Sequence, residues 1–126
     1  MKASNTEASD YFGSSVALSS NGRTLAVGAS GESSAASGVG GDQASNSIFS
    51  AGAVYVFAES NSVWSQQAYV KASTPGRRDS FGIFVGLSGD GSMLVVGASG
   101  EASPASGING SQAGPDGPAA GAICVY

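Results

Sequence analysis

Phe12-Gly-Ser-Ser-Val-Ala-Leu-Ser-Ser-Asn-Gly-Arg-Thr-Leu-Ala-Val-Gly-Ala-Ser30 returns as Phe81-Gly-Ile-Phe-Val-Gly-Leu-Ser-Gly-Asp-Gly-Ser-Met-Leu-Val-Val-Gly-Ala-Ser99. Each copy opens on Phe-Gly, closes on Gly-Ala, and carries two short apolar runs around an Asn-Gly or Asp-Gly pair. The period extends beyond this stretch. A shift of 69 residues aligns residues 2–57 with 71–126 without a gap, and 28 of the 56 pairs are identical. Such a duplication marks one supersecondary unit used twice.

Within the unit, Val16-Ala-Leu18 reads as a short strand with Val16 and Leu18 on one face. Asn21-Gly22 tolerates the positive φ values of a type I′ turn, so a tight hairpin leads into a second strand over 24–28. About 20 residues of Ser, Ala, Gly and Asn follow, a length that is uncommon inside a compact domain and usually functional. Gly52-Ala-Val-Tyr-Val-Phe57 is the third strand. It sets Val54 and Val56 on one face and Tyr55 and Phe57 on the other, so both faces need cover. Residues 63–70 form a fourth, more polar strand suited to an outer edge. The second copy repeats the first three strands.

Four short antiparallel strands per repeat is the pattern of a propeller blade. The sequence therefore predicts an all-β partial β-propeller of about two blades and about seven strands, the second blade lacking its outer strand. Glycine at the start of the first and third strands suits close backbone approach. Each repeat buries its faces only against neighbours, so a piece of a larger propeller is expected, with neighbouring blades as its first partners.

Composition removes several classes of function. The chain holds 20 Gly, 24 Ser and 20 Ala, with 14 charged residues and a net charge of −4. Five scattered basic residues do not make the clustered positive footprint that nucleic acid requires. No apolar stretch approaches the roughly 20 residues of a membrane-spanning helix, and no signal peptide is visible after Met1. With no histidine and one cysteine, Cys124, histidine chemistry and a disulfide within the chain are excluded. Cys124 reads as a small hydrophobe within a strand. Nucleophile–base pairs and phosphate loops cannot be assembled, so no catalytic residue is expected and the chain reads as a non-enzyme.

These residues resemble the FG-GAP repeat, the blade unit of the integrin α-subunit propeller, and more closely the bacterial proteins that carry such blades in tandem. Phe12, Gly13, Phe81 and Gly82 match the first half of the motif; Gly28, Ala29, Gly97 and Ala98 match the second, with Ser where Pro is usual. The resemblance covers essentially the whole chain. It implies that the sequence repeat is offset from the blade. Residues 1–11 would then end a preceding outer strand, 12–70 would be one blade, 71–80 a connection, and 81–126 three strands of another. It also implies an extracellular or cell-surface setting. Relatives often hold calcium between the first two strands through an acidic series. Here 18–25 has no carboxylate and 87–94 only Asp90, too few for a cation that takes six to eight oxygens, so no cofactor is expected. Asn21 and Asp90 read as turn formers.

The loops over 31–50 and 100–119 are the expected working surface, since in the propellers resembled they share the face that meets ligands. Glu32, Asp42, Asn46, Glu101 and Asp116 are the candidate ligand-facing residues. One reading gives them a partner or a cation. The other has the repeated Glu32 and Glu101 accept backbone N–H bonds and brace their loops. Asp10 and Asp79, which precede Phe-Gly, read as turn caps, and Trp64 as cover for the blade edge. Three functions follow as expectations: a non-catalytic module presenting loops for an extracellular protein or glycan, a structural spacer, or part of a propeller enzyme whose catalytic residues lie elsewhere.

Overall fold

Bulges at the two Phe-Gly pairs set the geometry of the chain. The computed structural model describes residues 1–111 and 117–126. Among the described residues there are seven antiparallel strands and no helix. Strands β1 (Phe12–Leu18), β2 (Thr24–Ala29), β3 (Ala53–Ser60) and β4 (Val63–Val70) pair in that order; β5 (Phe81–Leu87), β6 (Leu94–Ala98) and β7 (Ala122–Val125) form a second sheet. The result is an open, all-β, two-bladed part of a propeller.

In both sheets the ladder is interrupted at the motif: Phe12 pairs with Ala29 and Phe81 with Ala98, and the register shifts before Ser15 and Phe84. Gly13 and Gly82 take φ values of 96° and 86° at these bulges, a conformation that costs little only without a Cβ. Gly82 has a second constraint. A Cβ on Gly28 would lie 2.0 Å from the Gly82 carbonyl oxygen, so the two motif glycines are where the sheets meet backbone to backbone. Ser15 Oγ donates to that same carbonyl at 2.7 Å.

Strand β3 has the two-sided burial its alternation predicts. Val54 joins Ala26, Val70, Phe81, Leu94, Val96 and Ala98 in the core between the sheets, while Tyr55 and Phe57 join Val27, Ala29 and Tyr69 on the far side. Phe12 meets Tyr55 and Phe57 edge to face at 5.5 and 6.2 Å, and Trp64 packs partly buried against this group. Val16 and Leu18, which face away from the second sheet, stay exposed, whereas their counterparts Val85 and Leu87 pack on the shared core.

The turns correct one expectation. Positive φ falls on Gly22 and Gly91 but not on Asn21 or Asp90, so neither hairpin is type I′. The Gly22 N–H instead donates to Ser19, and the Ser19 N–H to Thr24, giving a longer loop built on a turn followed by a left-handed glycine. The two-residue turn with positive φ at both positions lies at Asn61 (52°) and Ser62 (65°), between the paired Ser60 and Val63.

Candidate functional site

Glu32 stands at the throat of the long β2–β3 loop. Its N–H donates to Ala29 at 3.2 Å, closing the turn out of β2, and its carbonyl accepts from Gly52 at 2.8 Å as the chain returns to β3. Glu101 repeats the arrangement with Ala98 and Gly121. Both side chains turn back on the loop: Glu32 Oε1 accepts from the Ser34 N–H at 3.1 Å, and Glu101 Oε1 from the Ser103 N–H at 2.9 Å.

From there the two copies diverge. Glu32 is 1% exposed and its Oε2 accepts from Lys71 Nζ at 2.7 Å, with Lys71 wholly buried. Asn5 Nδ2 reaches Glu32 Oε1 at 3.3 Å and the Gln43 carbonyl at 3.2 Å, while Tyr55 donates to Asn5 Oδ1 at 2.5 Å. Ser34 and Tyr69 share a hydroxyl contact of 2.6 Å. Burial pulls the Lys71 ammonium below its ordinary value, opposed by its hydrogen bond and attraction to Glu32. Burial also pushes the Tyr55 and Tyr69 hydroxyls up, with the Glu32 carboxylate adding to it. A charge pair sealed this way needs its remaining polar atoms satisfied to offset desolvation, and every buried side-chain polar atom among the described residues has a partner.

The ion pair also fixes the loop to the strand behind it. Lys71 follows β4, and there the loop adds a short edge: Gly38 donates to Ala72, Gly40 to Tyr69, and the Lys71 N–H to Gly38. Val39 and Val70 form an antiparallel bridge. Farther along, the Ala44 N–H donates to Asp42 Oδ1 at 2.9 Å, and Asn46 Nδ2 to Glu7 Oε2 at 2.6 Å.

The candidate loop residues thus have different placements. Glu32 faces inward, Asp42 and Asn46 are exposed, and Glu101 is half-buried. Asp116 lies outside the described residues. Asp10 and Asp79 are buried and accept from the N–H three residues earlier, Glu7 at 2.9 Å and Gly76 at 2.6 Å. Burial raises the Asp10 carboxyl above its ordinary value. At the hairpins, Asn21 Oδ1 accepts from Ser19 Oγ and the Arg23 N–H. Asp90 Oδ1 accepts from Ser88 Oγ, the Ser92 N–H and Ser92 Oγ, which holds its carboxyl at about 2. Each residue's oxygen is spent on its own turn. Among the described residues, no three acidic or cysteine side chains converge on a point that could hold a metal ion.

Lys71, Asn5, Ser34 and Tyr69 escaped the sequence reading of this site. The signal for Lys71 was available: Lys2 and Lys71, Asp10 and Asp79, and Glu32 and Glu101 are the positions where the two copies keep the same charged residue. Asn5 carries no such signal, because Thr74 stands in its place in the second copy.

Neither a curated protein nor a solved structure matches the chain significantly. The family model of the FG-GAP repeat matches residues 1–57 and again 64–115. The second match starts on β4 of the first sheet and runs on through β5 and β6, so the sequence unit straddles two sheets. Two matches in tandem over most of the length, on the bulged Phe-Gly strands and Gly-Ala exits described above, establish that the chain belongs to the FG-GAP repeat family.

Proposed function

We propose that this repeat segment is non-catalytic, belongs to an extracellular or cell-surface propeller, and presents its β2–β3 loops to a protein or glycan ligand, as in adhesion. The observation that carries this reading is the anchoring of the loop over 31–50. The buried Lys71–Glu32 pair and the Gly38 and Gly40 bonds hold it in one shape, while Val39 and Phe49 stand exposed on the same loop as Asp42 and Asn46. A preordered loop with mixed apolar and polar groups loses little conformational entropy on binding. The absence of histidine supports the non-catalytic part, as does the mutual neutralisation of Lys71 and Glu32.

The test is binding of the purified chain to a panel of immobilised extracellular proteins and glycans. A variant with 42–46 replaced by Gly and Ser, keeping Glu32 and Lys71, should lose binding with an unchanged circular dichroism spectrum. Binding that survives the replacement, or is absent from the start, sinks the loop reading. A structural spacer is then the better account, and one feature already favours it: the loop's repeated carboxylate is consumed inside the fold at Glu32.

A further inference from the structure

The buried cluster behind the β2–β3 loop brings together an amine, a carboxamide and a carboxylate. Glu32 takes one of the other two on each oxygen: Lys71 Nζ donates to Oε2 at 2.7 Å, and Asn5 Nδ2 donates to Oε1 at 3.3 Å. Lys71 offers a nucleophile, and Asn5 an acyl carbon with an amide nitrogen to lose. Glu32 touches both nitrogens and is placed to carry a proton from the first to the second. Tyr55 completes the set. Its hydroxyl donates to Asn5 Oδ1 at 2.5 Å, where negative charge gathers when the carbon is attacked.

The cluster is also held as such a reaction requires. Lys71 and Glu32 are 0% and 1% exposed, so bulk water does not compete for the amine or the carboxylate. Separate bonds fix each participant in place. The Lys71 N–H donates to Gly38 and its carbonyl accepts from Tyr126, Glu32 is pinned between Ala29 and Gly52, and Asn5 Nδ2 also reaches the Gln43 carbonyl. Burial lowers the hold of Lys71 on its proton, which eases transfer to Glu32 and frees the lone pair that an attacking amine needs. Asp10, a second carboxylate whose charge bears on Lys71, is committed to the Glu7 N–H.

We propose that Lys71 and Asn5 become joined by an amide bond that the cluster itself forms. Nζ passes one proton to Glu32 and attacks Asn5 Cγ, and the Tyr55 O–H steadies the oxyanion on Oδ1. Glu32 hands a proton to Nδ2, the Cγ–Nδ2 bond breaks, and the ammonia released takes the second Nζ proton away as ammonium. One Nζ–Cγ bond replaces one Cγ–Nδ2 bond, nothing is oxidised or reduced, and Glu32 ends as it began. The structure holds the groups before that bond. Once formed, it ties the segment preceding β1 to the end of β4 behind the loop throat. The second copy has no such chemistry, because Thr74 stands in the place of Asn5 and its side chain has no acyl carbon.

Intact mass and tryptic mapping of the purified 126-residue chain test this. The expected mass is that of the sequence less one ammonia. Trypsin should then fail to cut after Lys71, and residues 3–23 should be recovered joined to 24–77. Asn5→Ala and Glu32→Gln should each restore the full mass and the cut. Asn5→Ala leaves the Lys71–Glu32 pair in place, so it carries the comparison if Glu32→Gln does not fold. A wild-type chain of full mass overturns the proposal and leaves the cluster a hydrogen-bonded network. So does a loss of ammonia that persists in Asn5→Ala or leaves the cut after Lys71 intact, which would assign the loss to ring closure at Asn21-Gly22 or Asn109-Gly110.

Discussion

Lys71 and Glu32 are oppositely charged side chains that meet out of water, and their surroundings decide what each substitution does. Removing one partner leaves a buried charge without compensation, which typically costs about 3–5 kcal/mol, whereas replacing both with groups of similar size is often close to neutral. Lys71→Met is therefore expected to lower stability by roughly that amount in urea unfolding, and Glu32→Gln/Lys71→Met to recover most of it. A double variant no better than the single one would show that the pair's value lies in its surrounding hydrogen bonds. The same cluster governs the alkaline limb. Tyr55 and Tyr69 are buried and hold their protons above the ordinary tyrosine value, so above about pH 10 the unfolded chain releases protons that the folded chain keeps, and stability falls with pH. Lys71 acts oppositely, because its lowered folded value adds stability as pH rises towards about 10.5 and nothing further beyond. The clean window is thus above about pH 10.5, where each tyrosine contributes a slope of up to about 1.4 kcal/mol per pH unit. Tyr69→Phe should reduce that slope measurably in urea midpoints taken between about pH 10.5 and 11.5.

Among the elements, the hairpins show what was legible in the sequence and what was not. Apolar alternation located the strands of the first copy, most clearly β3, which is buried on both faces, and the 69-residue repeat carried the first three over to β5, β6 and β7. Turn chemistry was harder to place. Asn-Gly and Asp-Gly point to two-residue turns, yet the pairing of Leu18 with Leu25 leaves room for a longer loop, and the side chains of Ser19 and Asn21 organise it locally. The two-residue turn sits where the sequence offers only Asn61-Ser62, since Ser60 and Val63 pair directly. The buried ion pair was illegible for a related reason: Glu32 and Lys71 are 39 residues apart, and a single charged residue does not announce its partner. The hairpin supports a prediction of its own. Ser62 holds φ at 65°, which costs a side-chain-bearing residue about 1 kcal/mol that glycine avoids. Glycine's larger backbone entropy in the unfolded chain offsets part of this gain. Ser62→Gly should raise stability by up to about 1 kcal/mol in thermal unfolding; a loss would mean that the turn is not the positive-φ pair described.

At the scale of the whole molecule, the two sheets share one core, and the first sheet adds a second cluster of its own on its far side. Ala26, Val54 and Val70 from the first sheet and Phe81, Leu94 and Val96 from the second form one buried cluster, and Gly28 admits the Gly82 carbonyl across the same boundary. The connection between the sheets is stitched too: Phe81 donates to Ala51, Ser80 to Ser50, and the Tyr126 hydroxyl to the Lys71 carbonyl. Neither sheet can therefore shed the other without exposing half of a shared core, and the two should unfold in one transition. Trp64, the chain's single tryptophan, makes this directly measurable, because it lies on β4 and packs on the far side of the first sheet. Leu94, 6% exposed on β6, is a remote place to perturb. Leu94→Ala removes buried side-chain volume from the shared cluster and should cost about 2–5 kcal/mol. If the sheets are coupled, the denaturant midpoint reported by Trp64 fluorescence falls with it and continues to coincide with that from circular dichroism. If Trp64 keeps its wild-type midpoint while the circular dichroism transition splits, the second sheet unfolds alone and the first is stable without it. The shared cluster would then be a docking surface between two separately stable sheets, and the packing between blades would not be what holds this pair of repeats together.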